Sequence, residues 1–258
     1  MSAAIPPRPD LLEAVGAGEG PPKASWRWWE AIGFYLLAFV AAGVVSAPFV
    51  VNRTTEGSGL GGVEIAVTIL GDVVITGILL LWLRFRHPRW RESVRFPTRA
   101  RLVPEAGWGS LAGLALYPSI ILVVGLLLTL VFRDLFGDDV EAPEQLASHL
   151  SGGAKTLAVL LAVAVAPMAE EFFFRGILFR SLRDRHGFWI GALGSAAAFG
   201  LVHYVPSPWK DALLLQSIMF FTGLGLAAIY EWRGNLVANV AAHATFNLIG
   251  IVLILAAR

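Results

Sequence analysis

The feature that most constrains this chain is a series of continuous apolar runs, each close to 20 residues and nearly free of charge. As a helix, such a run covers the roughly 30 Å hydrocarbon core of a bilayer. The runs lie at Trp29–Val51, Gly61–Leu83, Trp108–Phe132, Lys155–Phe179, Phe188–Val205, Ala212–Tyr230 and Leu236–Ala256. They do not alternate apolar with polar residues, which reads as helix and not as barrel strand. The expected fold is all-α: a polytopic membrane helical bundle of about seven transmembrane helices, or eight if the last run breaks near Asn239. Composition agrees. Of 258 residues, 56% are hydrophobic and 15% charged, whereas soluble domains are roughly 45–50% apolar and about 25% charged. A soluble domain and a disordered chain are both excluded. The net charge of +1 offers no field for nucleic acid, so no nucleic-acid partner is expected. The absence of cysteine removes disulfides, thiolate nucleophiles and thiolate metal ligands together.

Basic residues set the orientation. Arg84, Arg86, Arg89, Arg91, Arg95, Arg99 and Arg101 fill the second connection, Arg180, Arg183 and Arg185 the fourth, and Arg233 the sixth. The first and fifth hold only Arg53 and Lys210, and the third (residues 133–153) is acidic. The positive-inside rule then places the protein in the cell membrane as a multi-pass protein with its N-terminus cytoplasmic. Residues 1–28, rich in Pro and Gly, read as a flexible cytoplasmic tail, 29–154 as accessory transmembrane helices, and 155–258 as the part that carries the chemistry.

Ionisable groups inside a span are costly, so each is a functional candidate. Asp72 is the deep one in the first half. The second half concentrates them: Glu170, Glu171 and Arg175 in the fourth run, His203 in the fifth, and Asn239, His243 and Asn247 in the last. Glu171 and Arg175 are four apart and share a helix face, which reads mainly as a structural clamp. Glu170 lies about 100° around, with Phe174 as its i+4 neighbour, and is left free to act as a general base or acid. Phe199 stands one turn before His203. Asn239, His243 and Asn247 recur every four residues as one stripe, which in lipid must face a polar cavity. On these span limits Glu170 lies about 15 Å and His203 about 22 Å from the cytoplasmic end, a mismatch in depth if they share a site. A proton- or ion-coupled transporter and a non-catalytic scaffold or immunity protein also fit such a stripe of polar groups.

The order Glu-Glu-x-x-x-Arg, Phe-x-x-x-His, His-x-x-x-Asn over roughly residues 155–250 resembles the CAAX-protease and bacteriocin-processing (CPBP, or Abi) family, and its type II CAAX prenyl endopeptidases in particular. The resemblance implies an intramembrane endopeptidase acting on a membrane-associated, prenylated or CAAX-like protein or peptide within the lipid bilayer. It implies Glu170 as the residue that activates water, His203, His243 and Asn247 as catalytic partners donating to water and oxyanion, and Glu171, Arg175, Phe199 and Asn239 as support. It permits two chemistries: glutamate-dependent hydrolysis with no cofactor, or a metalloprotease with Glu170, His203 and His243 holding Zn2+. No His-Glu-x-x-His helix is present, which removes the usual zinc-protease arrangement.

Overall fold

A computed structural model describes residues 22–51, 61–142 and 152–256. Residues 1–21 of the expected tail, Arg53 and residues 143–151 of the acidic third connection lie outside the described residues. Among the described residues all regular structure is helical. In chain order the long helices are α1 (Trp28–Val51), α2 (Gly62–Arg86), α3 (Arg99–Phe136), α4 (Gly152–His186), α5 (Phe188–Val202), α6 (Trp209–Arg233) and α7 (Leu236–Ala256). All but α5 are long and apolar enough to cross a membrane. Helix α5, with 15 residues, spans only about 22 Å and falls short of the bilayer core. Helix α7 runs unbroken through Asn239, so the eighth span does not form. Leu36, Leu37 and Phe39 of α1 and Leu122, Leu126 and Leu130 of α3 are exposed, the surface expected of helices solvated by lipid.

Helix α4 is the hub. Its Phe172, Phe173, Phe174, Ile177 and Phe179 are buried in one cluster with Leu79 and Leu83 of α2, Phe199 of α5, Leu226 and Tyr230 of α6 and Leu236 of α7. The helix is not uniformly α: Leu161–Val165 and Phe172–Phe179 are π-helical, on either side of the turn that carries the two glutamates. Such bulges relieve an internal proline, here Pro167, whose ring clashes with the carbonyl four residues back. Helix α7 is set by α3, which offers Gly109 and Gly113 four residues apart. Backbones approach so closely there that a Cβ on either glycine would meet the backbone of Ala238 or Ala242.

Two expectations change. The fourth run was expected to end at Phe179, where apolar residues stop; the helix continues to His186. Its charged extension is paired: the buried side chain of Arg180 with Asp184 at 2.9 Å, and the half-buried Arg183 with Glu231 of α6. Measured from the turn at Gly187, Glu170 then lies about 24 Å along α4 and His203 about 22 Å along α5, so the depth mismatch disappears. The tail was expected to be flexible through residue 28, but residues 22–27 are docked. Trp26 is fully buried, and its indole N–H donates to Ile177 O at 3.0 Å. Arg180 donates to Pro22 O, Arg185 to Ala24 O, and the Ala24 N–H to Asp184.

Candidate active site

Helix α5 ends at Val202, and His203 caps it with its ring turned back along the helix: Nδ1 stands 2.7 Å from Phe199 O. A carbonyl only accepts, so Nδ1 carries the proton and Nε2 presents a lone pair. That Nε2 lies 3.9 Å from Glu170 Oε2. On α7, His243 Nδ1 is 2.8 Å from Glu171 Oε1, which again places the proton on Nδ1. Its Nε2 also lies 3.9 Å from Glu170 Oε2. Two imidazole nitrogens from two helices therefore face one carboxylate oxygen from a third. Glu170 Oε2 is enclosed and has no hydrogen-bond partner among the described residues, while 25% of the side chain as a whole is accessible. Separations of 3.9 Å are too long for direct hydrogen bonds and suit one bridging water.

Glu171 has a different task. Its side chain is fully buried and collects three donors: Arg175 Nη1 at 2.9 Å and His243 Nδ1 on Oε1, and Asn239 Nδ2 on Oε2. Arg175 also donates to Gly223 O on α6 at 3.1 Å, and its guanidinium lies 4.4 Å over the Phe199 ring. Phe199 in turn sits 4.4 Å from the His203 ring and 5.8 Å from the His243 ring. The Glu171–Arg175 pair is thus the clamp expected from its spacing, and it also holds His243, which the spacing alone did not reveal. This is the outer support that fixes tautomer and ring orientation in working imidazoles.

The polar stripe of α7 runs antiparallel down α4: Asn239 meets Glu171, His243 meets both glutamates, and Asn247 reaches back to Ala162, its Nδ2 2.8 Å from Ala162 O. The amide of Asn247 thus bonds the backbone of α4, one turn along α7 from His243. The metal triad does not assemble. Among the described residues no group of three His, Cys, Asp or Glu side chains is arranged to hold a metal ion. Neighbouring ligands of a tetrahedral zinc stand about 3.4 Å apart, whereas both imidazoles are 3.9 Å from the carboxylate oxygen. As arranged, Glu170, His203 and His243 do not fit that ion.

The first half of the chain also reaches the site. Asp72 lies on the same stripe of α2 as buried Leu79 and Leu83, and so faces the bundle interior. Tyr35 of α1 stacks on Phe173 at 4.0 Å, and both Tyr35 and Asp72 are within electrostatic reach of Glu170. Asp72 was visible as a charge deep in a span. Tyr35 carried no signal, being one aromatic within an apolar run.

A multi-pass helical membrane protein with a glutamate and two histidines converging inside the bundle is the class that fold and site define. Residues 152–249 match the family model of type II CAAX prenyl endopeptidase Rce1-like proteins, the group that the motif order resembles. This second half is a domain similar to that membrane protease family, and it contains every helix that supplies Glu170, His203 and His243. No curated protein and no solved structure gives a significant match.

Proposed function

We propose that the protein is a glutamate-dependent intramembrane endopeptidase that cleaves a membrane-associated, CAAX-like polypeptide. The observation that carries this reading is the unpartnered Oε2 of Glu170, enclosed yet 3.9 Å from the Nε2 of both histidines. One water in that gap is held by His203 and loses a proton to Glu170 as its oxygen attacks the scissile carbonyl carbon. The carbonyl π-bond becomes an oxyanion, to which His243, in its protonated form, donates from Nε2. Collapse of the oxyanion breaks the C–N bond, and Glu170 returns its proton to the leaving amine. Glu171 and Arg175 hold His243 and α6 in place throughout and exchange no proton. No step is routed through a metal.

The Arg-rich connections support an orientation with the N-terminus cytoplasmic. Arg180 bonds Ser93 O, and Tyr230 bonds Val94 O, so the second, fourth and sixth connections gather at one end of the bundle. A prenylated C-terminus resides in the cytoplasmic leaflet, so substrate enters from that side and reaches inward to Glu170 and His203, about 22–24 Å along their helices from the Gly187 turn.

The test is cleavage by purified protein in lipid nanodiscs of a panel of CAAX-like peptides, each with and without a prenyl group, compared with Glu170→Gln. Products from the wild type alone, at one peptide bond, are expected. Absence of cleavage of every peptide, or equal cleavage by Glu170→Gln, would overturn the reading. Faster cleavage of prenylated members identifies the lipid as part of recognition.

A further inference from the structure

Helix α5 ends within the depth of the membrane, and that end is the platform for His203. Its 15 residues cover about 22 Å from the turn at Gly187. Leu201 and Val202, at its C-terminal end, expose apolar side chains, so lipid and not bulk water surrounds that end. The last four carbonyls of a helix have no donor within it, and in hydrocarbon each needs one from elsewhere. His203 supplies two. Its ring Nδ1 bonds Phe199 O at 2.7 Å, and its backbone N–H bonds Gly200 O at 3.2 Å. The third comes from another helix. Gln216 of α6 places its Nε2 3.2 Å from Leu201 O, and only the amide nitrogen can face a carbonyl. The two backbones also meet there. A Cβ on Gly200 would lie 2.7 Å from Gln216 O and 3.2 Å from Phe220 N. Gln216 therefore grips the final turn of α5 twice, with its side chain at Leu201 and with its backbone at Gly200.

We infer that Gln216 is a positioning residue that fixes the end of α5 and so aims His203 at Glu170. A helix end whose carbonyls lack donors frays. Release of Leu201 O loosens the turn that keeps Phe199 O in line with His203 Nδ1. Without that bond the imidazole turns and exchanges its tautomer, and Nε2 no longer presents its lone pair 3.9 Å from Glu170 Oε2. The bond from Gln216 is made to backbone, so Gln216 acts through the position of His203. The two histidines are thus held by different means: His243 by a direct bond to Glu171, and His203 by the helix end that carries it. A lone amide in an apolar run is costly in lipid unless it bonds a neighbouring helix, which is what Gln216 does. The inference rests on the proteolytic reading, in which His203 steers the attacking water.

The experiment compares the wild type with Gln216→Met, which keeps the side-chain length and removes the donor, on the full chain in nanodiscs. The measurements are kcat and KM on a cleaved peptide, the unfolding temperature, and the 15N spectrum of histidine-labelled protein. The His203 signals are identified by their loss in His203→Gln. In the wild type His203 is expected as a single Nδ1–H tautomer. Gln216→Met should give His203 a mixture of tautomers and lower kcat by about tenfold or more with KM nearly unchanged. It should lower Tm by only about 2–4 °C, as for the loss of one hydrogen bond. An unchanged His203 spectrum overturns the inference whatever happens to kcat, as does a wild-type kcat or a mixture of tautomers already in the wild type. If Gln216→Met does not fold, Gln216→Asn, whose amide is one methylene too short to reach Leu201 O, takes its place. Failure of both to fold makes the residue structural and overturns the inference. If the wild type cleaves nothing, the proteolytic reading fails, while the His203 spectrum still decides the role of Gln216.

Discussion

A single methyl group on α3 tests whether close helix packing sets the active geometry. A Cβ at Gly113 would stand 3.0 Å from Ala242 Cα and closer still to Ala242 O. Carbon atoms rest at about 3.5–4.0 Å from one another. The contact with Ala242 O is the tighter one and sets the displacement, so helices α3 and α7 must part by about 1 Å to admit Gly113→Ala, an overpacking that costs about 1–3 kcal/mol. Ala242 immediately precedes His243, so the displacement is delivered to the ring whose Nε2 lies 3.9 Å from Glu170 Oε2. Working constellations tolerate about 0.5 Å, and a 1 Å error costs about 10²-fold in rate. The expected result is kcat lowered by about 10- to 100-fold, with a lower Tm, in a nanodisc cleavage assay paired with thermal unfolding. Gly107→Ala is the control, because it lies on the same helix with nothing within 4 Å of the new Cβ. Wild-type kcat and Tm in Gly113→Ala, or an equal loss in Gly107→Ala, would refute the reasoning.

Arg175→Ala leaves Glu171 buried and short of a charged partner, a change costing about 3–5 kcal/mol, and should sharply reduce the yield of folded protein on size-exclusion chromatography. Trp26→Phe removes the indole donor to Ile177 O, which keeps the Arg180 backbone N–H, and so loses one hydrogen bond worth about 0.5–1.5 kcal/mol. Thermal unfolding should register the loss, and the segment at residues 22–27 should become susceptible to limited proteolysis. A zinc chelator should leave the cleavage rate unchanged, and a loss restored by added zinc would instead support metal-assisted hydrolysis.

Helix positions were legible because hydropathy and length suffice for a span in lipid. The limits failed where tertiary partners replace lipid. The extension of α4 from Arg180 to His186 reads as a cytoplasmic loop, since burial of Arg180 and Asp184 and partial burial of Arg183 depend on ion pairs with each other and with Glu231, and on the docked Pro22–Arg27 segment. Trp26 gave no sign that it would enter a groove against Ile177. At the site, the i to i+4 spacing of Glu171 and Arg175 showed the pair, and the four-residue stripe on α7 showed a common face. Neither spacing could show that Glu171 holds His243 and Asn239 as well, because those bonds cross between helices. The partner of Asn247 was hidden for a subtler reason. It depends on the π-register before Pro167, which is a choice of hydrogen bonding and not of residue pattern.

The central claim is that the unpaired carboxylate of Glu170 takes the proton from the attacking water. Glu170→Gln keeps the shape and removes the base. In matched nanodisc preparations, with folding verified by unfolding temperature, mass spectrometry of a cleaved peptide incubated in 18O-enriched water reads the chemistry directly. The account predicts one 18O atom in the new carboxylate for the wild type, and a rate at least about 10²-fold lower for Glu170→Gln with Tm preserved. Cleavage by Glu170→Gln at a rate close to wild type would contradict it.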